Sequence, residues 1–136
     1  MIDADYLKKI LGTIDETKYD GIASDKLMEQ VCEAKLKDIS DVDINKFKYH
    51  MDELWRSGLI IDYYSMHGDN WGYILSDEGI TLNIRQLLLS PVGGQFYIEL
   101  CKPTGVKKFK KALIKFGPAI VEQGISAAFK VFESAL

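Results

Sequence analysis

The 136-residue sequence predicts a mainly helical α+β fold with one small β-hairpin. Three observations carry the prediction. Successive N-terminal segments place apolar residues at helical spacing, a pair of segments rich in β-branched and aromatic residues flanks a polar turn, and the C-terminal stretch is basic and amphipathic. An apolar fraction of 47% with 27% charged residues excludes wholesale disorder and fibrous classes. A chain of this length buries a core without disulfides or metals, so no cofactor is expected.

From Asp3 to Thr17, Tyr6, Leu7, Ile10, Leu11 and Ile14 form one helical face, with Asp3 and Asp5 at the positive end of the helix dipole. Tyr19-Asp20-Gly21 supplies a turn, Ile22 a very short strand, and Ser24 the N-cap of a second helix that turns Leu27, Met28, Val31, Cys32 and Leu36 inward. Ser40 with Asp43 forms a capping-box-like start to a third helix, in which Phe47, His50, Met51, Leu54 and Trp55 recur at helical spacing up to Ser57-Gly58.

Residues 59–65 and 71–76 are expected to pair as the hairpin, with Met66 to Asn70 as its loop. Ser76-Asp77-Glu78-Gly79 is expected to cap a further helix through Ile80, Ile84, Leu87 and Leu88, ending before Ser90-Pro91. Val92-Gly93-Gly94-Gln95 reads as a flexible joint, and the periodicity leaves Phe96 to Leu100 open between strand and helix. A basic amphipathic helix is predicted from Val106 to Phe116, then a break at Gly117-Pro118 and a last helix toward Ala135. The organisation expected is thus residues 1–90 as one domain, 91–105 as a connector and 106–136 as a helical tail.

This order resembles the winged helix-turn-helix superfamily, whose third helix commonly shows an apolar residue, His, an apolar residue and Leu before a glycine followed by Leu-Ile. Phe47, His50, Met51, Leu54, Gly58, Leu59 and Ile60 occupy those places. Leu75-Ser76-Asp77-Glu78-Gly79 is similar to the Leu-Thr-x-x-Gly that often closes the family's wing, with serine for threonine. The likeness covers roughly residues 3–90, and it extends to small bacterial and prophage winged-helix proteins with a basic C-terminal extension. It implies a winged helix-turn-helix with a β-hairpin wing, plus C-terminal amphipathic helices.

In that frame the third helix enters the major groove of DNA and presents Asn45, Lys46, Lys48, Tyr49, Asp52 and Arg56 opposite its core stripe. Asn45 suits adenine, Arg56 guanine or phosphate, and the lysines the backbone; His67 in the wing loop is a further contact. Charge speaks against this. Residues 24–58 hold six Lys and Arg against eight Asp and Glu, whereas DNA affinity rests mainly on phosphate neutralisation. Residues 1–101 carry ten Lys and Arg against 18 Asp and Glu, a net −8, while residues 102–136 carry seven against two, a net +5. Lys107, Lys108, Lys110, Lys111 and Lys115 are either a compensating basic patch or the solvated face of a helix whose Val106, Phe109, Leu113 and Phe116 pack on the body or on a second subunit.

The last helix offers Ile120, Val121, Gly124, Ile125, Ala128 and Phe132 as an oligomerisation stripe. A membrane-surface role is disfavoured because Glu122 and Glu133 interrupt the polar side. No nucleophile with a base, phosphate loop or zinc spacing is discernible, so neither catalysis nor a metal is expected. Asp77 and Glu78 have a structural reason at a helix start, and His50 reads as a core or near-core residue. Cys32 and Cys101 are expected as buried small apolar residues of a reducing compartment, and the acidic N-terminus and lack of a spanning run point to the cytoplasm. The leading expectation is a dimeric DNA-binding transcription regulator of bacterial or phage origin. The alternative is a winged-helix protein–protein interaction module that does not bind DNA.

Overall fold

The computed structural model describes residues 1–64, 68–116, 130 and 132. Helix α1 (Ala4–Asp15) starts at Asp3, whose carboxylate accepts from the Tyr6 N–H at 3.1 Å, and buries Leu7, Ile10, Leu11 and Ile14 as the spacing predicts. Strand β1 (Ile22–Ala23) leads into α2 (Ser24–Cys32). Ser24 is not the N-cap: it is the first helical residue, and its buried hydroxyl accepts from the Arg85 N–H at 3.0 Å. The helix stops at Glu33 in a left-handed conformation (φ 55°), so Leu36 falls in a short 3-10 turn and is exposed.

Helix α3 (Asp41–Arg56) is capped as expected, the Ser40 hydroxyl accepting from the Asp43 N–H at 3.2 Å, and Gly58 (φ 71°) follows its end. Phe47, Met51 and Leu54 are fully buried.

The β-structure departs from expectation. Strand β2 (Ile60–Asp62) does not pair with the segment that follows Trp71. That segment forms β3 (Tyr73–Ser76), which pairs with β4 (Gly79–Leu82) across the two-residue turn Asp77-Glu78. The helix expected from Ile80 to Leu88 is absent; β4 and β5 (Gln86–Leu89) occupy its place. Positions 80, 84 and 88 share a face in a strand as well as in a helix, so the apolar spacing is ambiguous between the two. The β-branched Ile80, Thr81 and Ile84 and the positive φ of Gly79 (113°) favour the hairpin.

Strand β5 lies between β1 and β2 in an antiparallel sheet of order β1-β5-β2, with Ile22 opposite Leu87 and Ile60 opposite Leu89. Residues 63–85 are an excursion from this sheet, carrying the β3–β4 hairpin.

The expected joint at Val92 to Gln95 is instead the first turn of α4 (Pro91–Cys101), which settles Phe96 to Leu100 as helical. Pro91 suits the first turn because no N–H is needed there. The Ser90 hydroxyl donates to the Gly58 carbonyl at 2.6 Å and accepts from the Gly93 N–H at 2.9 Å. Gly93 is required because a Cβ there would overlap the Leu59 carbonyl oxygen. Gly93→Ala is expected to cost about 2 kcal/mol despite alanine's helix preference, since backbone must shift to admit the methyl; the midpoint of urea unfolding measures it.

Helix α5 (Gly105–Phe116) buries Phe109 and Ala112 on the body of its own chain and keeps its lysines exposed. Phe132 is fully buried with ring centroids 5.8 Å from Phe96 and 5.6 Å from Phe109, which corrects its assignment to an intersubunit stripe. Ile120, Val121, Gly124, Ile125 and Ala128 lie outside the described residues, as does the break expected at Gly117-Pro118. Cys32 is half-buried but Cys101 is exposed, contrary to the buried setting expected for it. Among the described residues no helix is long and apolar enough to cross a membrane.

Candidate recognition face on the third helix

With Phe47, Met51 and Leu54 facing the core, helical geometry turns Asn45, Lys46, Tyr49 and Arg56 outward, and all four are exposed. Lys48 and Asp52 lie lower on the flank and are half-buried. Their surroundings change what this face can do.

Each cation has an internal partner. Lys46 places its Nζ 3.4 Å from an Asp3 carboxylate oxygen and 4.5 Å from the centre of the Tyr6 ring. Lys48 donates to Asp52 at 2.7 Å and lies 4.8 Å from the centre of the Tyr73 ring. Arg56 pairs with the buried Glu53. Burial disfavours the Lys48 charge, but the Asp52 carboxylate outweighs it and raises the ammonium pKa above its ordinary value. The Tyr6 N–H holds Asp3 below the usual carboxylate range; partial burial works against it and Lys46 assists. Asp52 is further occupied by the Trp71 indole N–H at 3.0 Å, so it braces the excursion against α3.

Apart from the first-turn carboxylates Asp41 and Asp43, what remains outward is uncharged. Val42, Asn45 and Tyr49 fall at i, i+3 and i+7, one stripe of the helix, and Val42 is 76% exposed. Beside the stripe, an open groove of about 750 Å³ is lined by Asn45, Lys46, Tyr49 and His50 of α3, by residues 1–5, and by Lys110 of α5. Lys110 is itself paired with Asp5 at 3.0 Å. Val42 and Asp3 were not among the sequence-derived contact candidates, and Lys110 was expected only in the basic patch of the tail. The exposed Val42 was readable from its helical position, but Asp3 and Lys110 reach the face only through tertiary packing.

His50 forms the floor of this groove and is 2% exposed. Its Nε2 accepts from the Asp3 N–H at 2.9 Å, and its Nδ1 lies 2.7 Å from the Lys46 carbonyl oxygen, which assigns the proton to Nδ1 and the ring to the neutral form. Burial pushes its pKa below the ordinary 6.5, while the Lys46 carbonyl and Asp3 carboxylate oppose the shift less strongly. The unfolded chain therefore binds this proton more readily. The stability contributed by neutral His50 is complete above about pH 6.5 and is lost as pH falls through the lower folded value. Urea unfolding at pH 7.5 and pH 5.5 is expected to show a larger loss for the native chain than for His50→Gln.

His67 lies outside the described residues. The excursion around it offers little to a phosphate, since its hairpin turn is Asp77-Glu78 and β3 and β4 carry no charge. Among the described residues no group of three or more His, Cys, Asp or Glu could hold a metal ion. Comparison with family models, curated proteins and solved structures finds no match to the chain.

Proposed function

We propose that this chain is a non-enzymatic recognition protein of winged-helix type, residing in the cytoplasm, whose α3 face binds a protein partner and not DNA. The observation that carries this reading is the internal pairing of every cation on α3: Lys46 with Asp3, Lys48 with Asp52 and Arg56 with Glu53. A major-groove helix gains affinity by exchanging its counterions for phosphates, and here each exchange breaks an existing pair. The exposed Tyr49 is a residue type that anchors protein interfaces, with the exposed Val42 adding apolar surface on the same stripe and Asn45 between them to hydrogen-bond.

The winged-helix assignment is supported by the order of three helices and by the sheet β1-β5-β2, with residues 63–85 as an enlarged wing. The resemblance in Phe47, His50, Met51 and Leu54 agrees with it. A second reading, DNA binding through α5, is favoured by one observation: Lys107, Lys108, Lys111 and Lys115 are exposed and have no acidic partner among the described residues.

A photo-reactive residue at position 49 tests the first reading. It is expected to capture discrete proteins from lysate, and Val42→Asp should abolish the capture. That substitution adds a carboxylate in the first turn of α3, where the dipole favours it, so the fold is retained. Capture indifferent to Val42→Asp overturns the reading.

A further inference from the structure

We propose that the outer edge of β4 is a homodimer interface, through which two copies join their hairpins into one four-stranded sheet. The inference goes beyond the α3 reading and does not depend on it. The two edges of the hairpin differ. In the register Tyr73 to Leu82 and Ser76 to Gly79, with the Asn83 N–H donating to the Gly72 carbonyl, residues 72, 74 and 76 bond across the hairpin. Tyr73 and Leu75 then point their backbone groups outward from β3, and Ile80 and Leu82 point theirs outward from β4. The β3 edge is blocked at Tyr73: its N–H donates to Asn70 Oδ1 at 2.9 Å, and its carbonyl accepts from Asn70 Nδ2 at 3.0 Å. Among the described residues the Ile80 and Leu82 groups have no such cap.

Open edge strands are ordinarily protected by a charge, a proline or a bulge. Gly79-Ile80-Thr81-Leu82 has none of these. A two-stranded hairpin is also marginal alone. Its base, Tyr73 and Leu82, packs on the core, but on the same face Leu75 is 63% exposed beside Ile80.

A second copy satisfies these features together. Antiparallel β4 edges with the twofold axis at Thr81 pair Ile80 with Leu82 of the partner subunit and Leu82 with Ile80 of the partner subunit, forming four backbone hydrogen bonds. The overhanging apolar tip of each hairpin then lies beside the packed base of the other. The α3 stripe is not used and stays open.

Thr81 is exposed and faces its own counterpart across the axis, so a charge there opposes itself only in the dimer. Sedimentation of the full chain over a concentration series should show a dimer. Thr81→Lys and Thr81→Glu should each raise the dissociation constant by about fivefold at low ionic strength, with monomer circular dichroism unchanged. Mixing the two variants should restore association. A chain monomeric throughout the series, or a dimer indifferent to both substitutions, overturns the proposal.

Discussion

Trp71→Ala is expected to lower stability by about 3–5 kcal/mol, the range for truncating a large buried aromatic side chain. Trp71 is fully buried, meets Phe47 edge to face at 5.3 Å between ring centroids, and contacts Tyr73 at 5.1 Å. Its indole N–H also donates to Asp52, so alanine both opens a cavity and removes a partner from a half-buried carboxylate. Trp71→Phe should recover most of the packing and leave a loss of about 1 kcal/mol from the missing hydrogen bond. Urea unfolding separates the two values. Because Trp71 joins the excursion to α3, amide exchange in β3 and β4 should accelerate in Trp71→Ala more than exchange in α1.

Asp62→Ala is expected to cost about 3 kcal/mol, because it strands a largely buried cation. The Asp62 side chain is 5% exposed and the Arg85 side chain 20%; Arg85 Nη1 donates to one carboxylate oxygen at 3.0 Å, and the Tyr64 N–H to the other at 2.8 Å. Gly68 lies against the same guanidinium, so close that a Cβ would overlap it. These contacts clasp both ends of the excursion to β2 and β5. Removing both partners in Asp62→Ala with Arg85→Ala should cost less than the sum of the single substitutions. Additive losses in that cycle would mean the two side chains act independently.

The helices were legible because their apolar residues repeat with a period near 3.6 and their ends carry recognisable caps. Asp3, Ser40 and Gly58 mark boundaries that the structure retains. Strands of three or four residues are too short to display an unambiguous period, and Ile80 to Leu88 fitted a helix as well as it fitted strands. The partner of β2 was also hidden: it lies 25 residues or more along the chain, beyond a complete hairpin, whereas the segment at Trp71 was the nearer candidate. The turn Asp77-Glu78 shares its residues with a helix cap, and only pairing distinguishes them.

The candidate face on α3 shows the same division. Its outward residues followed from the core stripe of α3. Lys48 with Asp52 and Arg56 with Glu53 sit at spacings that favour ion pairs on a helix and were readable. Lys46 with Asp3 and Trp71 with Asp52 join residues far apart in sequence and required the fold. Those two contacts, more than the net charge, alter the function inferred from the helix. The cations of a helix expected to read DNA are paired within the chain.

Fluorescence anisotropy of a labelled random-sequence duplex, titrated over a low-salt series, measures directly whether α3 meets DNA. The internal pairing of its cations predicts that substituting Lys46, Lys48 and Arg56 together by alanine leaves any residual affinity and its salt dependence unchanged. Duplex binding that the triple substitution abolishes, or whose salt slope falls by about 0.9 for each cation removed, would contradict it.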